Sequence, residues 1–345
     1  MFDVIIIYNP LAGPANFAAV LEQISKRWRE LGVNVTIMPT EAAGHATKLA
    51  SDAAASGCKL VLAAGGDGTL REVVNGLVDT ETIMGILPAG TANSFARELH
   101  MPVPSALQMP VPDILQKPFP AAFKENKLIS VSDTLLAGRV QAMDIGSRRA
   151  INKKNGTSQY WMLWTGTGAD SHLVHELEPR PKWSKKIGWA SYVLQGIPVL
   201  TNFSHVRARV EVDGHTLEDD YILVLISNSR RYAGGMLNLS PEAYLDDGLF
   251  EIWLFGGHGL TSISRHAFRA LRGQHLEGPD TVLLRGRHVT IHTDPPTAVQ
   301  MDGDPAGMTP LECEVKPGAI RLLVPDSAPT DLFQQRGVLL KEAIG

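Results

Sequence analysis

The residues whose types and spacing can do chemistry are concentrated in Gly65-Gly66-Asp67-Gly68-Thr69. Glycines let backbone N–H groups approach a ligand closely. A helix that follows such a turn offers unpaired N–H groups and the positive end of its dipole, so a phosphate is the natural guest. Asp67 is the odd member, because a carboxylate in an anion-attracting loop is repelled by phosphate unless a divalent cation stands between them, as magnesium does on a nucleotide. The same five residues also suit a purely structural turn between a strand and a helix. Their full specification at such a junction weighs toward a ligand site.

Two acidic turns come next. Met301-Asp302-Gly303-Asp304 sets two carboxylates around a glycine at the end of an expected strand, within reach of a cleft, although Asp-Gly turns are commonly structural. In residues 243–250, AYLDDGLF, Asp247 and neighbouring carbonyls suit a hard cation, and a plain hairpin turn suits them equally. His172, His175 and Glu176 lie close together, but HxxHE lacks the spacing of a zinc helix and reads as surface or structural. Arg180, Lys182, Lys185 and Lys186, with Trp183 and Trp189 interleaved, have the composition of a membrane-surface segment or of a solvated basic loop. Neither GxxxxGK[ST] nor GxSxG occurs, and no GxGxxG follows a strand, so phosphate binding falls to GGDGT.

These residues need elements to position them. Residues 60–64 are a short apolar run, and after the glycine turn Leu70, Val73, Val74 and Leu77 recur at helical spacing, which predicts strand, turn and helix. Residues 4–8 form a β-branched run suited to a buried strand, ending in the turn Asn9-Pro10-Leu11-Ala12-Gly13. Phe17, Val20, Leu21, Ile24, Trp28 and Leu31 fall on one helical stripe, with Gly32 where a cap belongs. A strand at 33–38, a helix at 44–55, a strand at 83–87, the turn Pro88-Ala89-Gly90-Thr91 and a short helix at 92–99 complete a βα alternation. That pattern predicts a mainly parallel sheet whose ligands bind beyond the carboxyl ends of the strands. The NPLAG, GGDGT and PAGT loops and Thr40 all fall at that edge.

Pro102, Pro104, Pro110, Pro112, Pro118 and Pro120 break regular structure and mark a boundary. Beyond it, Val206, Ala208, Val210 and Val212 alternate with Arg207, Arg209 and Glu211, and Asp213-Gly214 provides a hairpin turn into 221–226. Strands are expected again at 250–255, 288–293, 297–301 and 313–324, and helices at 185–200 and 263–272.

Of 345 residues 44% are hydrophobic and 20% charged, a globular composition with room for two domains. A net charge of -4 without a strongly charged tail argues against nucleic acid as a partner. Cys58 and Cys313, with no CxxC spacing, imply neither a disulfide framework nor a cysteine metal site and fit a reducing cytoplasm. The amino terminus lacks a basic lead and no run of about 18 apolar residues occurs, so a soluble or peripheral protein is expected.

Taken in order, NPLAG, GGDGT, PAGTANSFAREL, MDIG, GTGADS, SNSRRYAGGMLNLSPEAYLDDG and MDGD resemble the diacylglycerol kinase catalytic family, lipid kinases that include bacterial lipid kinases and sphingosine kinases. The likeness runs over residues 4 to about 324. GGDGT alone is shared with NAD kinases and phosphofructokinases; the later motifs make the match specific.

The resemblance implies an α/β fold in two domains. An ATP-binding α/β domain with a mainly parallel sheet would span residues 1–125, joined by a strand returning near 312–326. A β-rich antiparallel lipid-substrate domain would span 126–311, with 327–345 as a C-terminal extension. It implies nucleotide contacts at Asn9, Thr40, Gly65, Gly66, Asp67, Gly68, Thr69 and Thr91, and a magnesium-linked acidic network at Asp67 and Asp144. A structural Mg²⁺ would fall at Asp247 with the carbonyls of Tyr244 and Leu249, and Asp304 would be the general base, with Asp302 placed to share the task. Asp304 stands where the family usually has Glu, and Ser94 where bacterial members often have Asp. The activity implied is transfer of the ATP γ-phosphate to a hydroxyl of a diacylglycerol- or sphingosine-like lipid. The enzyme would be cytoplasmic and peripheral to a membrane, and a homodimer is left open. The rivals are an NAD kinase-like enzyme, whose downstream Asn-Glu pair is missing here, and a non-catalytic lipid-binding protein of the same fold.

Overall fold

The computed structural model describes residues 2–12, 17–103, 125–149, 158–177, 196 and 198–345. The chain folds as two compact units, residues 1–143 with 319–345, and residues 144–318. The expected helix at 185–200 and the Trp183 and Trp189 cluster fall almost wholly outside the described residues, as do prolines 104–120.

In chain order the first unit carries β1 (Asp3–Tyr8), α1 (Phe17–Glu30), β2 (Asn34–Pro39), α2 (His45–Ala55), β3 (Leu60–Gly65), α3 (Asp67–Leu77), β4 (Ile83–Pro88), α4 (Ser94–Glu98) and α5 (Glu125–Leu136). The second carries β6 (Gln159–Trp161), β7 (Trp164–Gly168), α6 (Ala169–Leu177), β8 (Val206–Val212), β9 (His215–Ser227), β10 (Arg231–Tyr232), β11 (Leu237–Asn238) and β12 (Phe250–Gly256). It continues through α7 (Gly259–Leu271), β13 (Thr281–Gly286), β14 (His288–Thr293), β15 (Ala298–Met301) and β16 (Asp304–Met308). The chain crosses between units along β5 (Arg139–Arg149) and β17 (Leu311–Val324), and ends in β18 (Val338–Leu339) and α8 (Leu340–Ala343).

In the first unit, β2-β1-β3-β4 pair in parallel, with Val4 opposite Val35 and Leu60 and with Leu60 opposite Ile83. The last part of β17 joins β4 in parallel through Arg321 and Leu322, and β18 pairs antiparallel with the start of β5. Every residue of β3 and β4 is buried, as a continuous apolar run requires when helices cover both faces. Strand order reverses between β1 and β3, so the loops after them leave a crevice at the carboxyl edge. The α1 stripe buries Phe17, Val20, Leu21, Ile24 and Trp28. Leu31, expected on that stripe, lies one residue past the helix and is 63% exposed. The backbone has turned there, Gly32 taking φ 83, so the helical period no longer sets which way a side chain faces.

The second unit is antiparallel. Val206, Ala208, Val210 and Val212 point inward and Arg207, Arg209 and Glu211 outward. Asp213 and Gly214, at φ 47 and 87, close the β8–β9 hairpin in the primed geometry that matches strand twist. β14 pairs with β8 and β17, β9 with β7 and β12, β12 with β13, β15 with β7 and β16, and β5 with β6. The core joins Trp161, stacked on Phe250 at 5.0 Å, to Val210, Val224, Ile226, Ile252, Val289 and Ile291. Each such side chain stabilises the fold by about 1.5–3 kcal/mol through burial.

Candidate active site

In the first unit three loops are tied together by their own backbone. Asn9 N–H donates to Ala64 O at 3.2 Å, and Asn9 Oδ1 accepts from Leu11 N–H at 2.9 Å. Thr40 N–H donates to Tyr8 O at 2.8 Å, which brings the end of β2 beside the end of β1. Gly65 O accepts from both Ala89 and Gly90, at 2.9 and 3.2 Å, joining the β3 and β4 turns. A Cβ on Gly66 would stand 3.1 Å from Gly90 Cα, so the two turns approach as closely as backbone allows.

Asp67 is the clasp between those turns. It is half-buried at the first position of α3, and its carboxylate accepts from Ser94 N–H at 3.0 Å and Phe95 N–H at 3.2 Å. Burial raises its pKa, with the two amides pulling the other way. Asn93, buried at φ 49, holds Gly90 from the other side through reciprocal bonds of 2.8 and 2.7 Å. No side-chain hydrogen bond caps the amino end of α3 at Gly66. Gly68 is exposed, Thr69 is buried with its hydroxyl against Gly65, and Thr91 is half-buried in the PAGT turn. All eight residues expected to contact nucleotide thus belong to this one loop system.

The second unit holds the other acidic residues. Asp302 is buried at φ 50. Its carboxylate accepts from three amides, Met162 at 2.9 Å, Leu163 at 2.8 Å and Trp164 at 3.2 Å. Three amide donors make Asp302 an anchor for the 162–164 segment. Asp304 is half-buried at the start of β16, opposite Met301.

Behind it lies a network that the sequence reading missed. Asp170 Oδ2 accepts from Tyr232 Oη at 2.8 Å and from Gln300 Nε2 at 3.2 Å, and Gln300 Oε1 accepts from Gly303 N–H at 3.0 Å. Burial raises the Asp170 pKa. The Tyr232 ring packs edge-on against Trp164 at 5.3 Å. Asp170 stands inside GTGADS and Tyr232 inside SNSRRY, so both were within the motifs that carry the resemblance. Gln300 precedes MDGD directly. His175 bonds Val299 O at 3.0 Å and His172 packs on Phe203 at 5.6 Å, the structural roles expected of them.

The residues expected to hold a divalent ion are arranged differently. Asp144 is buried, and its two oxygens accept from Gly248 N–H at 2.6 Å and Gly318 N–H at 2.7 Å. Burial raises its pKa, the two amides lower it, and Asp247 and Asp246 nearby raise it further. Asp247 Oδ1 accepts from Leu249 N–H at 3.0 Å, while Oδ2 is ion-paired with the Arg285 guanidinium. Arg285 Nε also bonds Glu251 Oε1 at 3.2 Å. Tyr244 lies with its ring 5.9 Å from the Arg230 guanidinium. Hard cations need several converging oxygens. Among the described residues no three carboxylate, histidine or cysteine ligand atoms converge here, and the positive charge facing Asp247 and Glu251 is Arg285. In this arrangement Arg285 balances the charge of Asp247, and no step is derived through a metal here.

The diacylglycerol kinase catalytic domain model matches residues 3–117, and the YegS C-terminal NAD kinase beta sandwich-like domain model matches residues 166–324. A diacylglycerol kinase of Bacillus subtilis (strain 168) is 30% identical over 309 residues, covering 89% of this chain and 91% of that one. The chain belongs to the diacylglycerol kinase family. A diacylglycerol kinase of Staphylococcus carnosus (strain TM300) is 28% identical, covering 96% of this chain and 98% of that one. The fold is that of a crystal structure of a diacylglycerol kinase from Bacillus anthracis str. Sterne, with TM-score 0.65 over 95% of this chain and 98% of that one at 21% identity. The first unit of this chain carries the glycine-rich loops and the second the MDGD turn. No described helix of this diacylglycerol kinase family member is long and apolar enough to cross a membrane.

Proposed function

We propose that the protein transfers the γ-phosphate of ATP to the hydroxyl of a diacylglycerol-like lipid at a membrane surface. The observation that carries this reading is the clasp of Asp67 on Ser94 and Phe95, which builds the glycine-lined loop pair at the uncapped end of α3. Family membership over nearly the whole chain supports the kinase chemistry, and the names of the relatives support diacylglycerol as acceptor.

In this reading the amides at the start of α3 and the Gly65–Gly66 and Gly90–Thr91 backbones receive the nucleotide phosphates, with Asn9 and Thr40 flanking. The nucleotide arrives as its magnesium complex, whose cation offsets charge on the phosphoryl group. Asp67 keeps the two turns in register. Asp304 accepts the proton of the attacking lipid hydroxyl while Asp302 fixes the turn that carries it. Asp304 is one methylene shorter than Glu, so the hydroxyl must come closer to the backbone of that turn.

The test is transfer of labelled γ-phosphate from Mg-ATP to diacylglycerol, sphingosine, ceramide, monoacylglycerol and phosphatidylglycerol in mixed micelles. Label in diacylglycerol, lost in Asp67→Ala while the protein stays folded, is expected. Labelling of NAD and of no lipid would overturn the reading.

A further inference from the structure

We propose that His205, Asp220 and His258 form a binding site for a borderline divalent metal such as Zn²⁺, apart from the residues assigned to phosphoryl transfer. The three side chains come from separate places in the second unit. His205 immediately precedes β8, Asp220 lies in β9, and His258 sits in the turn between β12 and α7. Their ligand atoms all lie within 4.8 Å of one another, and no other set of three among the described residues does this.

The site is built by backbone bonds. The β8–β9 hairpin places Arg207 opposite Asp220 and Val206 opposite Tyr221, which fixes His205 beside the carboxylate. Gly257 N–H donates to Asp220 O at 3.3 Å and Gly259 N–H to Ser204 O at 2.7 Å, so the residues on either side of His258 are tied to both of the other ligand segments. Gly257 and Gly259 take φ 112 and 62, and a Cβ on Gly257 would meet Ser262 Oγ at 2.5 Å. This turn is one that glycines permit.

The chemistry of the donors suits a metal. Asp220 Oδ2 lies 3.8 Å from His205 Nε2 and 3.7 Å from His258 Nε2. Ligand atoms about 2.0–2.2 Å from zinc stand about 3.3–3.6 Å apart around a tetrahedron, so the two Asp220–histidine distances need a closure of only a few tenths of an ångström, and the three ligand atoms already lie within 4.8 Å of one another. Asp220 Oδ1 is held by Arg207 Nη1 at 3.3 Å, which leaves Oδ2 as a single oriented oxygen. Ser204 Oγ lies 2.9 Å from His205 Nδ1, the outer partner that a ligating imidazole uses for its other N–H. The Nδ1 atoms of the two histidines stand 3.0 Å apart, so in the neutral state one donates and the other accepts. With His205 donating, its Nε2 lone pair faces Asp220, a pairing that a cation relieves. His258, 60% exposed, has room to turn its Nδ1–H to water as its Nε2 takes the metal. Imidazole nitrogens select Zn²⁺, Co²⁺, Ni²⁺ or Cu²⁺ over Mg²⁺, and three protein ligands leave a fourth position open.

The full-length chain, stripped with EDTA and desalted, is titrated with ZnSO₄ by calorimetry, and with CoCl₂ while the visible spectrum is followed. One Zn²⁺ per chain, a melting midpoint raised by about 3 °C or more, and intense cobalt bands of low coordination number are expected. Excess Mg²⁺ leaves the binding unchanged. Affinity falls at least about tenfold in His205→Ala, His258→Ala and Asp220→Asn, with circular dichroism unchanged. No binding by the wild-type chain, equal binding by the variants, displacement by Mg²⁺, or the weak spectrum of hydrated cobalt would overturn the assignment. The cobalt spectrum of the wild-type chain decides even if a variant fails to fold.

Discussion

Gly66 and Gly90 lie back to back across the β3 and β4 turns. A Cβ on Gly66 would stand 3.1 Å from Gly90 Cα, and a Cβ on Gly90 would overlap Gly66 Cα. The loop pair that receives phosphate in the proposed reaction therefore exists only while both positions lack side chains.

Gly90→Ala is expected to push the two turns apart, lowering the melting midpoint by roughly 5–10 °C through overpacking of about 2–3 kcal/mol. ATP affinity should fall with it. Thermal melting and nucleotide titration check this; a variant that melts and binds as wild type would show that the turns have slack the structure does not.

Asp302→Asn tests the anchor. Asn tolerates φ 50 as well as Asp does, so the backbone cost is small, but an amide replaces an oxygen that accepts from the 162–164 backbone. Loss of about 2–4 kcal/mol in urea unfolding is expected. A change within experimental error would mean that the three amides find other acceptors.

Glu251 carries a pH dependence. Burial raises its pKa from 4.5 to about 7, only partly opposed by Arg285, and its Oε2 is buried without a hydrogen-bond partner. The folded state then holds a proton that the unfolded chain has released, so stability falls as pH rises from about 4.5 to about 7 and is level above. Relative to Glu251→Gln, the wild-type protein should lose about 2–3 kcal/mol between pH 5 and pH 8. Urea unfolding of both proteins at the two pH values checks it; a difference that does not change with pH contradicts the assignment.

Arg285 supplies the positive charge beside Asp247 and Glu251, so the midpoint of the wild-type protein should shift by less than about 1 °C when Mg²⁺ is added after EDTA treatment and dialysis. Arg285→Ala leaves two buried carboxylates without their cation. It should cost about 2 kcal/mol, since the guanidinium is 44% exposed, and create a stabilising response to Mg²⁺. A wild-type midpoint that rises strongly with Mg²⁺ would show that a metal, not Arg285, balances this cluster.

Much of the first unit was legible because its signals are local. The apolar runs of β3 and β4 and the glycine turns after them sit within a few residues of each other, and their period and turn chemistry decide the structure. Val206 to Val212 was legible for the same reason, since alternation reports a face directly. Asp302 was not, because a carboxylate type does not say which amides will meet it; the three that do come from residues 162–164. Asp170, Tyr232 and Gln300 are brought together across long stretches of chain, and Arg285 reaches Asp247 only through the β12–β13 pairing. Leu31 shows the limit at an element's end, where one turned residue cancels a periodic expectation.

The proposed role of Asp304 as the base is tested most directly by the rate of diacylglycerol phosphorylation in Asp304→Ala at saturating Mg-ATP. Loss of about 10²-fold or more in kcat, with ATP affinity within about twofold of wild type and substantial recovery in Asp304→Glu, is the predicted result. An Asp304→Ala enzyme that turns over at the wild-type rate would contradict the account.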